Sequence, residues 1–163
     1  MIPPGVEEEM LRLFCAEAED LLGEIEQGVL VLERDPGDGP TLDRLFRAFH
    51  TFKGNVGVVN LVVLQQLTHE LEALLDAARK GRLVPGRDTI GVILAGGDVL
   101  GRFVREMAAQ LAGESPGRQL RLPVPALVAA IHAVLSGTPL ASPPEGRSEE
   151  HTSELQSRLH LVC

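Results

Sequence analysis

Leu42-Asp43-Arg44-Leu45-Phe46-Arg47-Ala48-Phe49-His50-Thr51-Phe52-Lys53-Gly54-Asn55-Val56 carries its core-forming side chains, Leu42, Leu45, Phe49, Phe52 and Val56, at steps of three or four. Side chains so spaced lie above one another on one face of an α-helix. The rhythm predicts a helix from about Thr41 to Gly57. Reading outward, Phe14, Ala18, Leu21, Ile25, Gly28 and Leu32 repeat it upstream and predict a long helix over residues 7–34. Glu8, Glu17, Glu19, Glu24, Glu26 and Gln27 fall mostly off that seam, as a solvated face. Asp35-Pro36-Gly37-Asp38-Gly39-Pro40 separates the two helices, because proline and glycine together interrupt helical hydrogen bonding.

Downstream, a short break around Val58 to Asn60 leads into a third seam of Leu64, Leu67, Leu71, Leu74 and Ala78, a helix from about Leu61 to Lys80. Arg79, Lys80 and Arg82 gather where cations favour a helix C-terminus, and Gly81 is the expected stop. Val84-Pro85-Gly86 turns the chain into a fourth helix, about Arg87 to Leu111, with Phe103, Val104, Met107 and Leu111 as its apolar stripe. Gly91, Gly96, Gly97 and Gly101 lower its intrinsic propensity, and close approach of a neighbouring helix is the available explanation. Gly113 to Gly117 forms the next turn. A fifth helix follows from about Pro123 to Leu135, with Leu127, Ala130, Ile131 and Val134 inward.

No period-two alternation of strand length stands out. The expected fold is all-α: an antiparallel up-down four-helix bundle with an additional C-terminal helix against one edge. Residues 1–6 form an N-terminal extension, 7–135 the helical domain, and 136–146 a Pro/Gly/Ser-rich linker. Arg147-Ser148-Glu149-Glu150-His151-Thr152-Ser153-Glu154-Leu155-Gln156-Ser157 matches the translation of a sequencing adapter residue for residue. Residues 147–163 are therefore read as artefactual, with the native chain expected to continue beyond Gly146.

The chain has 163 residues, of which 44% are hydrophobic, enough for one domain with a core. Its net charge of -8 argues against non-specific nucleic-acid binding. No apolar run of membrane-spanning length occurs, so no membrane insertion is expected. The N-terminus lacks the basic and apolar regions of a secretory signal. Cys15 and Cys163 make no disulfide framework, and a cytoplasmic, reducing location is the simplest expectation.

Chemistry gathers on the second and third helices. At about 100° per residue, His50 stands beside the Phe49/Phe52 seam and should be half exposed. Lys53 and Gly54, three and four residues on, share its side. Gly54 inside a helix costs roughly 0.8–1 kcal/mol against alanine, and bare backbone beside the imidazole would let a partner come close. On the third helix His69 and Glu72 share a face that an antiparallel neighbour could bring to His50. An unperturbed imidazole titrates near pH 6.5, so a neutral nitrogen nucleophile exists at pH 7. A carboxylate accepting from Nδ1–H would fix the tautomer and leave the Nε2 lone pair outward.

His50-Thr51-Phe52-Lys53-Gly54 followed by His69-Glu70-Leu71-Glu72 resembles the motif pair of histidine-phosphotransfer (HPt) domains, most closely the N-terminal domain of CheA-type chemotaxis histidine kinases. Phe14 to Leu22, Leu45 to His50 and Leu74 to Arg79 are similar to the same family, and coverage runs from about Glu7 to Leu111, more loosely to Leu135. The resemblance implies that His50 accepts a phosphoryl group on Nε2 from a histidine kinase catalytic domain and passes it to an aspartate of a response-regulator receiver domain. It implies Glu72 as the orienting carboxylate, Lys53 as a charge facing the phosphoryl oxygens, His69 as a support of Glu72, and Gly54 as clearance for partner docking. ATP and Mg²⁺ would be supplied by the partners, since no P-loop or Gly-rich ATP lid is present. The domain itself needs no cofactor. It would not be an enzyme alone but the substrate domain of a larger kinase. Asn55 stands where the family usually has a small residue, and Asn60-Leu61 where Gly-Phe is common. Asn tolerates a left-handed turn, so the fold is unthreatened.

The rival reading is a helical interaction or dimerisation module without phosphoryl chemistry. A metal centre is disfavoured. Di-iron bundles need paired Glu-x-x-His motifs, and outside the 147–163 tail this chain has one His-x-x-Glu in reverse order, with no His-Glu-x-x-His and no Cys-x-x-Cys. His132, on the fifth helix, has no matching motif and is read as incidental.

Overall fold

The computed structural model describes residues 2–117, 120–138 and 140. The 147–163 tail and most of the linker lie outside them. The described residues form five α-helices: α1 (Glu8–Arg34), α2 (Gly39–Val58), α3 (Val62–Arg79), α4 (Arg87–Leu111) and α5 (Val124–Leu135). The all-α expectation holds.

The helix ends follow local chemistry. α2 begins two residues earlier than its seam suggests. Asp38 caps it, accepting from the backbone N–H of Thr41 at 3.2 Å and from the Thr41 hydroxyl. Gly39 and Pro40 thus belong to the first turn, where a proline loses no helical hydrogen bond. The C-termini of α2, α3, α4 and α5 all close with the paired 6→1 and 5→2 backbone bonds of a Schellman motif. The left-handed residue is Gly81, Gly113 or Gly137 in three of them and Asn60, at φ 58°, in α2. Asn60 therefore does the work of a glycine there, as its tolerance of that conformation predicts.

α1 packs on α2 and α4, and α2 packs on α3. The α2–α3 pair is antiparallel in register, since Asp43 faces Arg79 near one end and Gly57 faces Gln65 near the other. α5 lies against both α3 and α4, in the groove between them, rather than along a single edge. Val124, Leu127, Val128, Ile131 and Val134 are buried there and join the common core.

Phe49, Phe52, Leu11, Leu45, Leu67, Leu71, Leu74 and Leu100 are almost fully enclosed at the centre. Each such side chain contributes roughly 1.5–3 kcal/mol by leaving water. Phe14 meets Phe52 edge to face, centroids 6.1 Å apart. Two glycines explain how closely the helices approach. A Cβ on Gly28 would lie 2.6 Å from Leu45 Cδ2, and one on Gly96 2.5 Å from Leu71 Cδ1. Gly91 has open space around it, so close packing does not account for that glycine.

Candidate functional site

The aromatic face of α2 that carries Phe49 and Phe52 is buried, and this fixes where the next side chain points. His50 lies just off that face, and its side chain is 62% exposed. The neighbouring α3 runs past in the opposite direction. Its Leu71 and Leu74 are in the core, so Glu72 is rotated to the α2–α3 seam, where only 14% of its side chain is exposed.

Glu72 Oε1 lies 3.1 Å from His50 Nδ1, a bond in which Nδ1–H donates to the carboxylate. Glu72 Oε2 lies 2.6 Å from Lys53 Nζ. One carboxylate thus joins two side chains of α2 a turn apart. Burial pushes the Glu72 carboxyl up, but the hydrogen bonds and positive charge of Lys53 and His50 outweigh it, so the group sits below the ordinary glutamate range. It stays ionised at neutral pH and holds the Nδ1–H tautomer of His50, leaving the Nε2 lone pair free. Nε2 has no hydrogen-bond partner among the described residues.

Gly54, one turn beyond His50, is exposed, and a Cβ there would meet nothing within 4 Å. The surface beside the imidazole is open backbone. His69 is not brought into the cluster. It is exposed on α3 and makes no hydrogen bond or ion pair among the described residues. The support expected of it at Glu72 is supplied by Lys53. The reason is angular: a three-residue step along α3 turns His69 about 60° away from Glu72, toward solvent.

Two neighbours of His50 escaped the sequence reading. Phe46 lies nearly parallel to the imidazole, centroids 6.0 Å apart and planes 19° apart. Arg79 of α3 places its guanidinium carbon 3.7 Å from the Phe46 centroid. The four-residue spacing of Phe46 and His50 was a usable signal. Arg79 has none, since its contact crosses between helices.

A second histidine–carboxylate pair lies on the other flank of α3. His132 Nε2 of α5 is 2.8 Å from Glu70 Oε2. His132 therefore has a partner that its isolated sequence position did not suggest. Among the described residues no group of three or more His, Cys, Asp or Glu side chains could hold a metal ion. No helix among them is long and apolar enough to cross a membrane.

A family model described as "Hpt domain" matches residues 9–114. The chain is 35% identical over 102 residues to the chemotaxis protein CheA of Borreliella burgdorferi, covering 63% of this chain and 11% of that protein. The chain thus spans about a tenth of the length of that curated relative. The CheA phosphotransferase domain from Thermotoga maritima superimposes with a TM-score of 0.61 at 33% identity, covering 64% of this chain and 99% of that one. The phosphorylated P1 domain of CheA3 from R. sphaeroides, solved in complex with CheY6, shares the fold, with a TM-score of 0.69 at 23% identity over 82% of this chain and all of that one (100%). The matched span contains the exposed imidazole, the carboxylate that orients it and the helices that carry them, and the chain belongs to the Hpt domain family.

Proposed function

We propose that this chain is a phosphorelay carrier in which His50 Nε2 is the phosphoacceptor. The observation that carries the reading is the bond between the exposed His50 Nδ1 and the nearly buried, ionised Glu72. In the forward step the Nε2 lone pair attacks the γ-phosphorus of ATP held by a histidine kinase catalytic domain. The nitrogen–phosphorus bond forms, the bond to the bridging oxygen breaks, and its electron pair leaves with ADP. The proton remains on Nδ1. The ring thereby gains positive charge, and Glu72 lies where that charge develops. The onward step moves the phosphoryl group to a receiver aspartate oxygen and returns the ring to its neutral tautomer, so no proton need cross the site.

Lys53 has three donors and spends one on Glu72. The others are available to a phosphoryl oxygen, so one side chain both steadies the carboxylate and offsets incoming charge. Positioning and charge stabilisation dominate phosphoryl transfer, so a domain with these features needs no cofactor of its own. ATP and Mg²⁺ belong to the partners. The CheA relatives support a kinase of that kind as donor. The R. sphaeroides P1 domain, phosphorylated and bound to CheY6, supports a receiver as acceptor. The carrier unit is the helical domain of residues 7–135, part of a larger cytoplasmic kinase.

The test is incubation of the chain with a CheA-type kinase core lacking its own phosphotransfer domain and with labelled ATP. Acid-labile, alkali-stable label is expected on the wild type and absent from His50→Gln. Undiminished label in His50→Gln removes His50 as the carrier, and a wild type that takes no label leaves the interaction-module reading.

A further inference from the structure

The bond from His50 Nδ1 to Glu72 restrains one edge of the imidazole. A hydrogen bond tolerates a spread of distances and angles, so with only that bond χ1 and χ2 can still shift together and carry Nε2 through an arc. Phe46 stands one turn earlier on α2 as a flat surface nearly parallel to the ring, at 6.0 Å and 19°. That separation lies within the range of offset aromatic stacking. Phe46 is itself only partly buried, so core packing alone does not hold it.

Arg79 supplies the missing restraint, with its guanidinium carbon 3.7 Å from the Phe46 centroid. The guanidinium is tied down in turn. Asp76 Oδ1 accepts from Arg79 Nε at 2.9 Å and pairs with Nη2 at 2.9 Å, while Asp43 lies 3.7 Å from Nη1. Asp76 also binds Lys80 at 2.9 Å and Arg82 at 3.1 Å. A chain of contacts therefore runs from the end of α3 through Arg79 and Phe46 to the face of His50.

We propose that Phe46, backed by Arg79, is a positioning residue that sets the plane of the His50 imidazole and so the direction of the Nε2 lone pair. The inference rests on the carrier reading above. In-line attack on phosphorus needs that lone pair aimed along the breaking bond. A ring free to swing meets the geometry less often, which lowers turnover without weakening encounter.

The test measures kcat and KM for phosphorylation of the full chain by the same kinase core, together with NMR relaxation of the His50 ring C–H groups. Phe46→Leu is expected to lower kcat about tenfold, with KM within about twofold and a more mobile ring. Phe46→Tyr, which keeps the flat surface, should stay within about twofold of wild type in both. Arg79→Gln should give a partial fall in kcat. It carries the test alone if Phe46→Leu does not fold, and an unchanged kcat in Arg79→Gln then overturns the proposal. Unchanged kcat and ring mobility in a folded Phe46→Leu overturn it, as does an equal loss in Phe46→Tyr. A wild type that takes no label, with a His50 ring that loosens only in Phe46→Leu, sinks the carrier reading while supporting the positioning role.

Discussion

Lys53 Nζ lies 2.6 Å from Glu72 Oε2, on the carboxylate oxygen opposite the one that faces His50. The lysine and the carboxylate come from different helices, so the pair is a clasp across the α2–α3 seam as well as an anchor for the imidazole. Taking Lys53 away leaves the nearly buried Glu72 carboxylate with the His50 bond but without its cation.

Acid should open this clasp. The Glu72 pKa is depressed in the folded chain, so its contribution to stability is full above the unfolded glutamate value, about 4.3, and is lost as pH falls through the lower folded value. The urea midpoint of the wild type should exceed that of Glu72→Gln above about pH 5, and the gap should close on further acidification. A gap that stays constant down to pH 2 would show that the carboxylate is not coupled to folding. At neutral pH the same variant should phosphorylate about 10- to 100-fold more slowly, because the imidazole is no longer aimed.

Gly54 separates stability from transfer. A side chain there meets nothing within the domain, so Gly54→Ala and Gly54→Leu should each stabilise the helix by about 0.5–1 kcal/mol. Thermal unfolding would read this as a raised Tm. Transfer should fall in Gly54→Leu, whose bulk stands beside the imidazole, and less in Gly54→Ala. Equal transfer rates in all three proteins would remove the clearance argument.

Two glycines of α4 should respond oppositely to alanine. Gly96→Ala drives a methyl against Leu71, which is fully buried and cannot swing away without displacing its neighbours. Overpacking of about 1–3 kcal/mol, less a propensity gain of about 1 kcal/mol, gives a net loss of up to about 2 kcal/mol. Gly91→Ala has open space and should gain up to about 1 kcal/mol. Urea denaturation of the two variants side by side decides it, and stabilisation of both would mean that α3 and α4 can part at little cost.

The His132–Glu70 pair is a surface contact, with the imidazole side chain 57% exposed. His132→Ala should cost no more than about 1 kcal/mol and lose even that in high salt. Label from the kinase reaction should be undiminished in this variant. A large fall in label would move the acceptor chemistry to α5.

The helices were legible because burial on one face imposes a three-four rhythm that a linear reading detects. α4, placed from Arg87 to Leu111 by its apolar stripe and flanking turns, has those limits in the structure. The start of α2 was misplaced because Gly39 and Pro40 read as breakers, whereas a proline in a first turn behind an Asp38 cap is a helix start. His50, Lys53 and Gly54 were legible together because one turn of one helix holds them. Glu72 was legible because an antiparallel neighbour must pass His50. His69 was misjudged because helical spacing says which residues share a side, but not which of them face the adjoining helix, whereas the Phe46–His50 stack lay within that spacing and was overlooked.

The order of helices, the core-facing stripe of each and the placing of a reachable imidazole beside a carboxylate-bearing neighbour follow from periodicity, since local geometry repeats every turn whatever the rest of the chain does. Which oxygen of Glu72 serves His50 and which serves Lys53, the seat of α5 between α3 and α4, the fit of Gly96 against Leu71 and the reach of Arg79 to Phe46 depend on how far helices slide and rotate against one another. Those displacements are set by the interlocking of the whole core, and no stretch of chain contains them until it is packed.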